Sequence, residues 1–436
     1  MPLFKPGRFY PIKRPDTINK YKVLGKVGYG RSSTSWLCRC DEEADEEAPY
    51  AVLKFHASSR IGETHEEDKP GANESEISRR IRSIKTSYPG TGLVRAAKDE
   101  FTVECEAGAH RILVQRPLLA NLHEAAKFYF VEPKYNCTEP FFKTVLRYIL
   151  LALDFLYREA NVIHTNGGLE ETREGTDEGS ITQPVKRFAR YSGSDSYVLF
   201  HSIDFDRLAA YFIAGKPTLC DFGDARVGKS HRGVIQQEKF RAPEVVLGME
   251  WDEKVDVWNL GVLAWGMYEG SHLFSGKGDA GGDFDEAKLL AEMTALMDPP
   301  PSKFRSRSPA SNKYWGDSGN WTHPKPLPTR SLLTRELRYA SPLGLPTDAQ
   351  QGFLAFMRKV LTWDPTHRGS ARDLLSDDWL VAPTAEELRD QKTEEEKEEE
   401  FERYIRNPRG AMPVAVVRDE SREAGCRVIF RGEEVP

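Results

Sequence analysis

Long apolar runs are missing from this 436-residue chain. Its two most apolar stretches, residues 145–157 and 257–268, are broken by polar side chains. Both fall short of the roughly 18 residues a membrane helix needs. The opening MPLFKPGRFYPIKRP has no apolar core of the secretory type, so no signal peptide is expected and the chain reads as soluble. Cysteine is scarce, with six residues in all. Cys38 and Cys40 are too close together for a C-x-x-C knuckle and no Cys/His cluster follows, so a zinc module and a disulfide scaffold are both excluded. All six read as reduced thiols of an intracellular protein, in the cytoplasm or the nucleus. An excess of basic charge is missing too. The 61 basic and 67 acidic residues leave a net charge of −6 and a pI near 6.0, which excludes a broadly basic nucleic-acid binder. There is no internal repeat.

What is present is enough apolar material for a core: 39% of residues are apolar, 11% aromatic and 29% charged. At roughly 100–200 residues per domain, two or three compact units fit. Residues 1–20 lack periodicity and read as an extended arm. Residues 21–27, 33–40 and 49–56 are strand-like, separated by Gly-rich or acidic turns. Ile77, Ile81 and Ile84 recur at helical spacing, which predicts an amphipathic helix over 74–85. Another buried strand is expected at 111–115. From residue 141 helices dominate: 141–158 is periodic, 254–269 is apolar on nearly all sides, and 353–361 and 371–380 follow. Residues 169–218 read as a polar loop with one strand-like piece at 197–202. Residues 302–341 read as a surface loop rich in Ser, Pro and Arg. Strands first and helices afterwards predict an α+β protein of two lobes, a small β-rich one and a large helical one. Residues 386–402 hold ten acidic and three basic residues, a balance of −7, so the rest of the chain stands at +1. The acidity is a property of this tail.

Several motifs carry chemistry. Gly28-Tyr29-Gly30-Arg31-Ser32-Ser33 lies between two strands, where glycines would let a hairpin close on phosphates without a Cβ in the way. Alone, it is more often an ordinary tight hairpin. Ala51-Val52-Leu53-Lys54 ends an apolar strand on a lysine, which needs a counter-charge if buried. Glu74 on the following helix can supply it. Far downstream come Cys220-Asp221-Phe222-Gly223, then Ala242-Pro243-Glu244, then Arg368, which could pair with Glu244 and lock the helical lobe.

In this order and spacing the motifs resemble the eukaryotic protein kinase family. The resemblance is strongest to its SR-protein kinase group and the fungal members of that group. Gly-Tyr-Gly-Arg-Ser-Ser-Thr-Ser-Trp-Leu (28–37), Val-Ile-His-Thr (162–165), Phe-Arg-Ala-Pro-Glu-Val-Val-Leu-Gly (240–248), Val-Trp-Asn-Leu-Gly-Val-Leu-Ala-Trp (257–265), Glu-Gly-Ser-His-Leu-Phe-Ser-Gly (269–276) and Gly-Asn-Trp (319–321) carry it. It covers about residues 21–380. It implies a small lobe at 21–118, a helical lobe at 119–382 and a tail at 383–436. The resemblance further implies ATP and Mg²⁺ as cofactors. Gly28, Gly30 and Ser33 would lie over the phosphates, Lys54 would hold them while paired with Glu74, Arg116 and Leu118 would bound the adenine hinge, and Asp221 would hold the metal. Partners would be Arg/Ser-rich proteins, phosphorylated on serine by a monomeric chain, with no direct contact to nucleic acid or membrane. The short stretch from Asp221 to Glu244 implies an activation segment that needs no phosphorylation.

The pattern breaks after His164-Thr165. The family places an Asp there to accept the substrate proton and, a few residues on, an Asn for the second metal. Here the chain reads Asn166-Gly167-Gly168-Leu169-Glu170-Glu171. Without a gap, Asn166 stands for the base, Gly168 for a phosphate-side lysine and Glu171 for the metal Asn. With a gap, which the downstream match at 183–187 and 196–202 favours, about seven residues of the loop are missing. Either way no carboxylate stands at the base position, and an amide cannot accept the proton. Val52, Ser35, the polar gatekeeper Gln115, and Ser78 in place of an apolar packing residue also depart from the family. The sequence thus predicts an impaired kinase or a pseudokinase. Its rivals are a non-enzymatic binding module and an active kinase whose loop was lost by aberrant splicing. Asp279, Asp283, Asp285 and Glu286 could form an acidic groove for arginines, but helix-capping acids are the favoured reading. Arg305-Ser306-Arg307-Ser308-Pro309 resembles an Arg/Ser substrate, with an exposed basic loop favoured. Three Asn-x-Ser/Thr triplets, at Asn73, Asn136 and Asn320, carry no weight in an intracellular chain.

Overall fold

The computed structural model describes residues 8–12, 16–30, 32–40, 50–58, 70–106, 108–121, 139–165, 169–172, 187–192, 195–200, 217–269, 272–277, 283–328, 347–382, 416–418 and 426–428. The chain divides into two compact units, Met1–Ala382 and Pro383–Pro436. In the second, the described residues form an antiparallel pair, Val416–Arg418 with Cys426–Val428. The acidic run at 386–402 lies outside the described residues.

The first unit has the two-lobed α+β architecture expected from its order of strands and helices. The small lobe is an antiparallel sheet of β1 (Thr17–Ile18), β2 (Tyr21–Tyr29), β3 (Ser33–Cys40), β4 (Tyr50–His56), β5 (Asp99–Cys105) and β6 (Gly108–Gln115), in the order β1-β2-β3-β4-β6-β5. Successive side chains on a strand point to opposite faces. Leu53 and Phe55 of β4 therefore join Trp36, Cys38, Ile112 and Val114 in the core on one face. Val52 joins Leu37, Leu24 and Val27 on the other, and Lys54 shares that second face. Strand β5 escapes the sequence reading because its DEFTVEC buries no clean stripe and is held by pairing to β6.

Part of the arm read at 1–20 is docked on this lobe. Ile12 and Ile18 are buried in the sheet core. Ser58 donates its backbone N–H to the Arg8 carbonyl at 2.8 Å, and the Tyr10 ring stacks on Phe55 with centroids 5.3 Å apart. A segment that crosses a sheet face touches it at irregular intervals and so shows no period.

Helix α1 (Ala72–Ser83) turns Ile77 and Ile81 into the core of the large lobe. There α2 (Glu139–Phe155), running on as a π-turn Leu156–Ala160, packs with α3 (Lys254–Glu269), α4 (Glu286–Met297) and α5 (Thr347–Val360). As expected, α3 is buried nearly all round. Between the lobes, β8 (Val162–Ile163) pairs with Arg226–Val227, and β9 (Leu169–Thr172) pairs on one side with β7 (Leu118–Asn121) and on the other with β12 (Pro217–Leu219). Arg95 donates its N–H to the Leu219 carbonyl at 2.8 Å.

Two loop readings are corrected. Residues 169–218 hold β9 and β12 and a hairpin of β10 (Arg187–Ser192) with β11 (Asp195–Phe200). β11 overlaps the strand-like piece at 197–202. β10 has no apolar face in its sequence and is defined by its partner. Residues 302–328 are not a simple surface loop, because Phe304 and Trp315 are fully buried. The Arg/Ser stretch within it is structured as well. Ser308 is buried, with its hydroxyl on the Leu247 carbonyl at 2.7 Å, and Arg305 donates to the Gly316 and Asp317 carbonyls. It is a structured turn in which Ser306, Arg307 and Pro309 are exposed, as expected, while Ser308 is not.

Candidate functional site

Alternation along β4 sends Lys54 toward the interlobe side. Its Nζ lies 2.7 Å from Glu74 Oε2 and 3.3 Å from Asp221 Oδ1. Glu74 is 2% exposed and would be costly to bury unpaired. Its other oxygen, Oε1, accepts from the Gln115 amide at 3.2 Å, so this side chain helps to seat the carboxylate. Burial alone would lower the Lys54 pKa, but Glu74 and Asp221 outweigh it and hold the ammonium above its ordinary value. Burial would raise Asp221, yet Lys54 wins again and keeps this carboxyl below the usual range. Both groups are therefore charged through the neutral range.

Asp221 stands in a left-handed conformation, φ 65°. The next residue, Phe222, is buried edge-on against the His164 ring, with centroids 5.1 Å apart. His164 is held at both ends. Its Nε2 contacts the Cys220 carbonyl at 2.8 Å, and its backbone N–H goes to Asp256. Asp256 also takes the Thr165 N–H at 2.8 Å, while the Thr165 hydroxyl donates to the Asp224 carbonyl at 2.7 Å. Thr165 is β-branched and fully buried at φ 63°. That conformation costs roughly 1–3 kcal/mol and persists only where such contacts enforce it.

Asn73 was missed as a functional residue. Its side-chain amide donates to the carbonyls of Phe222 (3.3 Å), Gly223 (2.9 Å) and Ala225 (3.0 Å). The signal available in sequence was its place beside Glu74 in the first turn of α1. Ser78, which stands in place of an apolar packing residue, is buried with its hydroxyl accepting the Ala97 N–H at 3.1 Å. Asn73 supplies a polar coupling between α1 and the segment carrying Phe222.

The glycine hairpin is closed by the Gly30 N–H on the Ser33 carbonyl at 2.8 Å. Gly28 is not demanded by the fold, whereas a side chain at Gly30 would crowd the Ser33 hydroxyl. Neither has positive φ, and an added Cβ at Gly28 or Gly30 would meet its nearest atoms at 4.0 and 3.3 Å. Where the resemblance places the hinge, the Arg116 carbonyl accepts from Arg95 Nε at 2.9 Å, and Leu118 begins β7. Among the described residues no group of three or more His, Cys, Asp or Glu could hold a metal. Asp221 alone, 48% exposed and anionic, fits a Mg²⁺ that takes its remaining oxygens from phosphates and water.

Asn166 lies outside the described residues, as do Gly167 and Gly168. Only these three separate Thr165 from β9, in which Glu171 pairs with Pro217 and with Ala120. Asp279 also lies outside the described residues. Asp285 caps α4 by accepting the Ala287 and Lys288 N–H groups and pairs with Lys325, and Glu286 lies 3.8 Å from Arg241. These two acids act as helix-capping and internally paired groups.

Residues 212–380 match the family model of the protein kinase domain. A serine/threonine protein kinase of Aspergillus fumigatus is 38% identical over 385 residues, spanning 88% of this chain and 90% of that protein. The serine/threonine-protein kinase SRPK of Physarum polycephalum is 24% identical over 405 residues, spanning 87% and 90%. A crystal structure of a kinase domain shares the fold with a TM-score of 0.57 at 19% identity, covering 85% of this chain and 98% of that one.

Proposed function

The chain belongs to the serine/threonine protein kinases, and from that premise we propose that it is an SR-protein-kinase-like domain that binds ATP and Mg²⁺ but transfers phosphate poorly. Bound ATP would supply the phosphoryl group and Mg²⁺ would neutralise its developing charge. Lys54, seated by Glu74 and Gln115, would hold the phosphates, and Asp221 would hold the metal. Gly28 would leave room for a phosphate chain, since an added Cβ there meets nothing closer than Ser35 Cβ at 4.0 Å.

The observation that carries the impairment is the short connection from Thr165 to β9. A full His-x-Asp-x-x-x-x-Asn loop needs eight positions. Counted from His164 without a gap, its last position is Glu171, which is already paired within β9. This favours the gapped alignment, in which the base, the lysine and the metal Asn are absent. Asn166 can orient a hydroxyl but cannot take its proton. Positioning and electrostatics survive, so transfer is slowed rather than abolished, by about 10²–10⁴-fold for the base alone.

The substrates are basic Arg/Ser-rich proteins, met by a monomer in the cytoplasm or nucleus. Support comes from the motifs shared with the SR-protein kinases and from the Physarum relative. The test is a thermal shift with ATP and Mg²⁺ alongside phosphate transfer to an Arg/Ser peptide. A shift abolished by Lys54→Met and Asp221→Asn, with transfer far below that of an intact family member, is expected. Robust Asp221-dependent transfer would overturn the impairment. No shift would leave a non-enzymatic binding module, and a transcript containing an Asp-bearing loop at residues 165–169 would restore the active kinase.

A further inference from the structure

The segment after Asp221 is latched to the residues before α3 by hydrogen bonds and an ion pair. His231 and Trp251 exchange both backbone hydrogen bonds, each 2.9 Å. The Trp251 indole is buried and donates to the Gly233 carbonyl at 3.0 Å, while the His231 ring lies 5.1 Å from the Trp251 ring. Ser230 and Arg232 flank His231 and both reach Glu250. The Ser230 hydroxyl donates to Glu250 Oε1, and Arg232 Nη2 lies 3.4 Å from Oε2. Arg307 fixes the Glu250 backbone by donating to its carbonyl at 3.2 Å. The Ser230 hydrogen bond, with help from Arg232, keeps the Glu250 carboxyl below its usual range.

Ser230 is exposed, as are Lys229 and Arg232, and the stretch Arg226-Val-Gly-Lys-Ser-His-Arg sets it among basic residues. We propose that Ser230 is a phosphorylation site whose modification releases this latch. In the reaction, Ser230 Oγ would attack the terminal phosphorus of a nucleoside triphosphate held by a second, basic-directed kinase. The new O–P bond forms as the bond to the leaving nucleoside diphosphate breaks, and the hydroxyl proton passes to that enzyme's base. The product has lost the donor that Glu250 accepts and sets a near-dianion against a carboxylate. Arg232 is then drawn from Glu250 to the phosphate. Phosphorylation here acts opposite to a switch that orders a segment by creating new arginine pairs. The inference does not depend on whether this chain itself transfers phosphate.

The experiment treats the full chain with ATP and a kinase selective for serine after basic residues, maps the site by mass spectrometry, and follows hydrogen exchange at residues 229–235 and 249–253. Phosphate on Ser230 should speed exchange of the His231 and Trp251 amides about tenfold or more. Ser230→Ala, which loses only the hydroxyl, should have a smaller effect. Glu250→Gln in the phosphorylated chain should return exchange toward the unmodified rate, because the repulsion is gone. The proposal is overturned if Ser230 stays unmodified while a free peptide of residues 226–236 is modified. Unchanged exchange in the phosphorylated chain overturns it too, as does fast exchange that Glu250→Gln leaves untouched.

Discussion

His56 is a histidine that cannot act as a charge at physiological pH. It is buried beside Lys54, Arg111, Asp221 and Glu74, its Nε2 3.7 Å from Glu74 Oε2, and neither ring nitrogen makes a hydrogen bond among the described residues. Burial, reinforced by the Lys54 and Arg111 cations, pushes its pKa down to about 3. The unfolded chain therefore binds a proton near pH 6.5 that the folded chain refuses. Stability contributed by the neutral ring is present above 6.5 and is lost as the pH falls toward 3. His56→Leu should flatten the fall in Tm between pH 6.5 and 4 without lowering Tm at pH 7. A parallel acid slope in the variant would show that other groups set it. Asn73 carries a different load. Asn73→Ala strips three carbonyls of a donor and should cost about 1–3 kcal/mol. Amide exchange across residues 222–226 should quicken, with little change in the distant strands β5 and β6.

Among the elements, α3 is packed so closely that one residue sets its distance from α5. A Cβ added at Gly261 would lie 2.6 Å from Val360 Cγ1 and 2.8 Å from Leu361 Cδ2. An alanine would gain about 1 kcal/mol of helix propensity. Overpacking costs about 1–3 kcal/mol, and here it should win. Gly261→Ala is expected to lower stability in urea unfolding, and a stabilised variant would mean that α5 can retreat. Several elements were legible because their signals are local. β3, α1 and α3 follow from alternation or helical spacing, with ends within a few residues of those expected. β10 and β5 were not legible, because their definition comes from the strand alongside.

In the large lobe as a whole, the buried pair foreseen between Glu244 and Arg368 is present. Nη1 reaches Oε1 at 2.8 Å and Nη2 reaches Oε2 at 3.2 Å. Arg368 also donates to the carbonyls of Lys254 and Thr362 and lies over the Trp258 ring. It thus ties Glu244 and the first residue of α3 to the chain after α5. Arg368→Leu leaves a carboxylate buried without its partner and should cost about 3–5 kcal/mol. Replacing both residues with leucine should recover much of that loss. Equal losses in the single and double variants, measured by chemical denaturation, would mean that the carbonyl contacts rather than the ion pair hold the lobe.

The chain by itself determined the lobe order, the strand that carries Lys54, the helix that carries Glu74 and the loss of a carboxylate after His164. Each is written in residue type and near-neighbour spacing, which the backbone converts directly into faces and ends. Tertiary structure alone decided that Gln115 seats Glu74, that Asn73 holds the carbonyls after Asp221, that the Arg/Ser stretch is a packed turn, and that Glu250 secures Ser230. These contacts join residues 20 to 152 positions apart, or depend on buried carbonyls finding a donor. Such pairings follow from how packed elements meet, and no local period in the chain encodes them.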